Sequence, residues 1–186
     1  IIKHGTTNTV SDRGLMLQAS SSLTNGQVLP GITLNPNTNE HRPRAGISGI
    51  GHGSSNGTAG MHLIFMTAYR DDGSQLTSSD ERVRIDSSGR VLIGTTTPGY
   101  SDLDDLTIST SGNTGITIRS GTSNLGGIGF GDGTSGNDQY RGVIQYSHSG
   151  DFMQFNTADA ERFRIASSGE VWVGTTSGVS NSGYGG

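Results

Sequence analysis

Apolar and polar residues alternate with a period of two along much of the chain, most clearly in residues 81–96, "ERVRIDSSGRVLIGTT". Val83 and Ile85 alternate with Arg82, Arg84 and Asp86, and Val91 and Ile93 alternate with Arg90 and Leu92. Successive side chains of a strand point to opposite faces, so each run predicts a strand with one apolar face. Between the runs stands Ser87-Ser88-Gly89, where glycine takes the positive φ that closes a type I turn with a G1 bulge. The stretch therefore predicts a β-hairpin with Val83, Ile85, Val91 and Ile93 inward. Arg84 then lies opposite Leu92 on the outward face. Further strands are predicted at 61–69 ("MHLIFMTAY"), 115–119, 142–147 ("GVIQYS") and 152–156 ("FMQFN"). No segment of ten or more residues keeps a helical apolar period, so the expected fold class is all-β.

The hairpin phrase is written twice. Residues 161–176, "ERFRIASSGEVWVGTT", lie 80 positions downstream and match at eleven of sixteen places. Chance gives about two identities in such a window, so the chain reads as an internal repeat. Upstream, "GIGHG" at 49–53 is matched by "GIGFG" at 127–131, and "GITL" at 31–34 by "GITI" at 115–118. "LMLQA" at 15–19 and "LTIST" at 106–110 share the same alternation. The expected organisation is a leader over 1–13 and two tandem Gly/Ser/Thr-rich β-repeats, 14–98 and 103–186. Residues 95–105 form the joint, with Pro98-Gly99 as its turn chemistry. In the second copy the predicted register sets Arg164 over Trp172 as a cation–π pair. The doubled charges, Glu81 with Arg82 and Arg84, and Glu161 with Arg162 and Arg164, predict cross-strand or cross-chain ion pairs that fix register.

Composition changes the picture from a globular domain to an assembly. Only 30% of the 186 residues are hydrophobic, 31 are glycine, and the net charge is −4. A chain this poor in core-formers folds by sharing a core with other copies, which predicts an oligomer. The absence of cysteine excludes disulfides and thiolate metal sites. No apolar run reaches the roughly 18 residues of a membrane helix, and no basic cluster provides a nucleic-acid footprint. The opening "IIKHGTTNTV" has no initiator Met and no signal-peptide architecture, and reads as part of a longer protein.

Candidate chemistry is sparse. The glycine clusters "GISGIGHG" and "GGIGFGDG" are followed by no helix, so they read as strand packing and turns and not as phosphate loops. Asp132 and Asp138 share a Gly-rich loop that lacks the closing Glu of a calcium loop. Of His4, His41, His52, His62 and His148, none forms a metal-ligand pair. His52 and His62 are the two to check for a metal on a threefold axis. Glycan hydrolysis needs two carboxyls about 5–10 Å apart, and Asp71, Asp72, Asp102, Asp104 and Asp105 fall in turn-like sequence. Tyr69, Tyr100, Tyr140, Tyr146 and Trp172 are the aromatics available to stack on a sugar. No catalytic, cofactor or metal residue is assigned, no cofactor is expected, and the reading is non-enzymatic.

Residues 81–98, "ERVRIDSSGRVLIGTTTP", resemble a segment that recurs in fibre and tailspike-like proteins of tailed bacteriophages, particularly those of cyanobacteria and marine bacteria. Residues 115–165 resemble the unit that precedes it. The resemblance covers most of 103–176 and, more loosely, 30–98. It implies an elongated, intertwined homotrimer on the outside of a virion, often followed by an endosialidase-type intramolecular chaperone, of which no segment is visible in these 186 residues. The implied function is a fibre segment for host attachment. The implied partners are other tail or baseplate proteins and a host polysaccharide or outer-membrane receptor. A glycan-degrading tailspike and a mechanical spacer or capsid appendage are the alternatives.

Overall fold

The computed structural model describes residues 10–11, 14–15, 31–34, 45–52, 60–69 and 76–174. It is all-β, with thirteen strands, no α-helix among the described residues, and two compact units, Ile1–Gly115 and Ile116–Gly186. In the first unit β1 (Val10–Ser11) and β2 (Gly14–Leu15) form a small ribbon. A six-stranded sheet then runs in sequence order: β3 (Ile32–Leu34), β4 (Ala45–His52), β5 (Gly60–Thr67), β6 (Glu81–Ile85), β7 (Val91–Ile93) and β8 (Leu106–Ile108). The second unit holds a five-stranded sheet of β9 (Leu125–Phe130), β10 (Gly142–Ser147), β11 (Phe152–Thr157), β12 (Ala160–Ile165) and β13 (Val171–Val173). Every pairing is antiparallel except β7 with β8. No helix of the described residues is long and apolar enough to cross a membrane.

The hairpins form as their sequence dictates. The Gly89 N–H donates to the Asp86 carbonyl at 2.9 Å, the Asp86 N–H donates to the Arg90 carbonyl at 2.9 Å, and Gly89 has φ 88°. Gly169 also has φ 88° and makes the same bonds with Ala166 and Glu170. Arg84 pairs with Leu92 and Arg164 with Trp172. A β-bulge precedes each hairpin, because Phe65 faces Val83 while Met66 faces Glu81, leaving Arg82 as the extra residue. Arg162 is the extra residue at the matching place in the second sheet. The bulge resets the alternation, so Glu81 and Arg84, three residues apart, share a face.

Upstream, the structure rearranges the correspondence read from residue identities. "GIGFG" lies on β9 against β10, in the place that β3 and its "GITL" occupy against β4, not in the place of "GIGHG" on β4. Ile32 faces Ile47, and Ile128 faces Ile144. The physical reason is a close backbone approach. A Cβ on Gly127 would stand 2.8 Å from Gln145 Cβ and from the Ile144 oxygen, and one on Gly31 would collide with the Ile47 oxygen and Ser48. The strand predicted at 115–119 does not form: the run has no ladder partner among the described residues. Conversely, Leu106–Ile108, expected in the second copy, completes the first sheet. Of "LMLQA", residues 16–19 lie outside the described residues.

The two faces of the first sheet are unequal. On one, Ile50, Ile64 and Met66 are buried and Leu76 packs against them. Leu92 belongs to the same face and is 1% exposed. Leu92 was expected to point outward, and the reverse holds. Leu76 packs on that face, whereas the Val83/Ile85 face has no cover within the described chain.

Candidate functional site

Directly paired residues on neighbouring strands share a face, so the registers define ladders across each sheet. Ile32, Ile47, Phe65, Val83, Ile93 and Ile108 form one unbroken apolar row across six strands. Beside it run Gly49, Leu63, Ile85, Val91 and Leu106. The second sheet repeats the arrangement with Ile128, Ile144, Phe155, Phe163 and Val173 in one row and Tyr146, Met153, Ile165 and Val171 in the next. Phe155 and Phe163 meet edge to face at 5.3 Å. None of these side chains is fully buried, and Ile32, Ile47, Leu63, Phe65, Ile85, Leu106, Ile128, Met153, Ile165, Val171 and Val173 are exposed. Contiguous apolar surface on this scale marks an interaction site.

The opposite face of each sheet carries a charged clasp. Glu81 accepts two bonds from Arg84, each 2.7 Å long, and Arg84 stands between Ile64 and Leu92 in the ladder. Glu161 and Arg164 repeat this two-point pair, with Nε at 2.8 Å. These are pairs within one strand, joined across the bulge, and not the cross-strand or cross-chain pairs expected. The guanidinium of Arg164 lies 3.7 Å over the Phe152 ring and 5.3 Å from Trp172, so the expected cation–π contact forms with two rings. Trp172 Nε1 is buried without a hydrogen-bond partner.

At the first turn, the Asp86 carboxylate accepts the N–H groups of Ser88 at 2.8 Å and Arg90 at 3.0 Å. Arg90 also reaches Asp86 Oδ2 at 2.7 Å and Asp104 Oδ2 at 2.9 Å. Asp104 therefore ties the joint to the turn instead of being a solvated loop acid. It brings in β8, whose register is held by the Val91 N–H on the Asp105 oxygen at 2.8 Å. Burial works against the charge of Asp86, but bonds from the Arg90 N–H and guanidinium and the Ser88 N–H outweigh it and hold its carboxyl below the usual range. Asp86 thus contributes stability that is full above the unfolded aspartate value of about 4 and is lost as pH falls through the lower folded value. Asp86→Ala is expected to cost about 1–2 kcal/mol at neutral pH. Urea midpoints of variant and parent should converge as pH drops below about 4; a gap constant with pH would show that the carboxylate is not responsible.

Among the described residues, the remaining sequence candidates do not converge. His62 is buried, and its Nδ1 accepts the Ser87 N–H at 2.9 Å, on the face opposite the open ladders. His148 stacks edge-on to Tyr146 at 5.0 Å. The His52 side chain, His4, His41, Asp71 and Asp72 lie outside the described residues. A cavity of about 590 Å³ beside the first clasp includes His62, Glu81, Arg84, Asp86 and Arg90 in its wall, but both acids are taken up by the arginines. The described residues hold no group of three or more metal-ligating side chains.

The Asp132/Asp138 loop closes on itself, with the Asp132 N–H on the Asp138 oxygen at 2.8 Å. It is docked to the β11–β12 turn through Asn137 and Asp159. That turn holds Ala158 at φ 49° and Asp159 at φ 60°, left-handed conformations that cost non-glycine residues energy. Sequence reasoning missed this contact, since nothing local links 137 to 159. Of the aromatics, Tyr69 and Tyr100 are exposed, Tyr100 bonds Asp102 at 3.0 Å and Tyr140 bonds Asn137 at 3.1 Å. Tyr146 is half-buried and donates to Asp151 at 2.9 Å, a bond that raises its pKa together with burial and the aspartate charge.

No protein-family model and no curated protein matches the chain. Among solved structures, it is similar to the carboxy-terminal domain of the bacteriophage T5 L-shaped tail fibre with its intramolecular chaperone domain, at 14% identity and a TM-score of 0.41. That match covers 99% of this chain and 64% of the other, so the chain spans less than two thirds of that structure. A second structure of the T5 tail-fibre carboxy-terminal domain is similar at 13% identity and a TM-score of 0.37, covering 100% of this chain and 93% of that one.

Proposed function

We propose that the chain is a structural segment of a phage fibre, a homotrimer whose shared core is built from the open ladders of its two sheets. The observation that carries this is the unbroken row from Ile32 to Ile108, six apolar residues on six strands with no cover from the described chain. The second sheet offers the same kind of row. In this reading the two sheets are tandem copies of one building unit. The sequence resemblance to phage fibre proteins supplies the setting: the outside of a virion, joined to other tail or baseplate proteins. Attachment to a host polysaccharide or outer-membrane receptor then falls to the exposed loops, where Tyr100 and Tyr140 are presented. The role is structural and not catalytic.

Light scattering coupled to size exclusion tests the reading. A single species of three chain masses is expected over a wide concentration range. A folded monomer would overturn it, because the ladders would then stand in water.

A further inference from the structure

The two hairpins end in different surroundings. In the first sheet, β7 is covered on its outer edge by the parallel strand β8, with Val91 facing Leu106, Leu92 facing Thr107 and Ile93 facing Ile108. In the second sheet, β13 stands in the place of β7 and is the terminal strand of the described sheet. Its Val171 and Val173 are 54% and 66% exposed, while Val91 and Ile93 are only partly so. Between them Trp172 keeps its indole N–H buried and unbonded. An apolar strand edge of this kind pairs with another strand.

The same unit contains a strand-like segment with no pairing. Residues 116–118, Ile-Thr-Ile, repeat the apolar–Thr–apolar pattern of Leu106-Thr107-Ile108. They have no ladder partner in the described chain, with Ile116 68% and Ile118 48% exposed. The segment cannot reach its own β13. Ile118 Cγ2 lies 3.5 Å from where a Cβ on Gly126 would sit, which places it beside β9. β9 and β13 are opposite edges of a five-stranded sheet, about 19 Å apart at the usual strand spacing.

We propose that residues 116–118 of one copy add to the outer edge of β13 in a second copy, as a parallel strand in the β7–β8 register. Val171 then faces Ile116, Trp172 faces Thr117 and Val173 faces Ile118. Thr117 comes to the same face as Trp172, where its hydroxyl is an acceptor for the indole N–H. Head-to-tail exchange closes into a ring when the rotation between copies allows it. The proposal rests on the trimer reading above and specifies one of its joints.

The absence of cysteine from the chain makes the test clean. A double variant, Ile118→Cys with Val173→Cys, is oxidised and run on a non-reducing gel, beside an offset pair, Ile118→Cys with Val171→Cys. The in-register pair is expected to give several-fold more intermolecular crosslink than the offset pair, as covalent oligomers up to three chains. Equal crosslinking of both pairs, or a crosslink within single chains only, would overturn the proposal. Light scattering on the same variants separates the two readings. An intact trimer without in-register crosslink sinks the strand exchange alone, whereas a folded monomer sinks both.

Discussion

Glu81→Ala is expected to lower the stability of the protein by about 3–5 kcal/mol, the usual consequence of removing one partner from a buried ion pair. The Arg84 and Glu81 side chains are 11% and 7% exposed. With the glutamate gone, the largely buried guanidinium between Ile64 and Leu92 loses that acceptor, and desolvation of its charge sets the magnitude. Glu161→Ala should cost less. Arg164 is 19% exposed, stacks on Phe152 and lies 3.5 Å from Gln154 Oε1, so it keeps partial compensation. Guanidinium denaturation at one fixed protein concentration reads both, since assembly makes midpoints concentration-dependent. A smaller shift at Glu81 than at Glu161 would show that the first clasp is screened by solvent. The double variant Glu81→Leu with Arg84→Met should recover most of the loss, because apolar residues of similar volume replace such pairs at little cost.

The clasp also shows where sequence reading stops. The Ser-Ser-Gly turns, the Arg84–Leu92 and Arg164–Trp172 pairings and the strands at 142–147 and 152–156 were legible because they depend on period-two alternation and on one glycine of positive φ. The bulges at Arg82 and Arg162 were not. Alternation alone puts Glu81 with Val83, and only the register against Met66 or Asn156 reveals the extra residue. Alternation also tells which residues share a face but not which face the chain covers for itself. Leu92 was therefore assigned outward, although its side of the sheet is the buried one. Partners distant in sequence were the other blind spot. "LTI" at 106–108 and "ITI" at 116–118 look alike, yet only the first pairs with a strand within the described chain, fixed there by the Arg90–Asp104 bond. Of the open surface itself, the stripes at 61–69, 81–85 and 91–93 were visible, while the glycine-rich β4 was read as strand packing and turns, and the continuity of the row across six strands needed the registers.

That continuity makes charge on the open rows the severest perturbation of assembly. Phe65→Asp and Phe155→Asp each sit in mid-row, flanked by Ile47 and Val83 in the first sheet and by Ile144 and Phe163 in the second. If the rows meet other copies, each substitution forfeits the roughly 1.5–3 kcal/mol of a buried aromatic side chain. It also places a carboxylate in an apolar contact three times over, once per copy. The expected result is dissociation to monomers or failure to fold at micromolar concentration, seen as loss of the three-chain mass. Tyr100→Asp, at an exposed side chain outside both rows, controls for charge alone and should leave the mass unchanged. Phe65→Leu separates contact from fold, because it keeps the apolar row and should weaken the assembly only modestly. If Phe65→Asp and Phe155→Asp both kept the parent mass and denaturation midpoint, the rows would be solvent-facing and the shared core would have to lie elsewhere. Loss at one sheet with retention at the other would assign the contact to that sheet, since each row is continuous within its own unit.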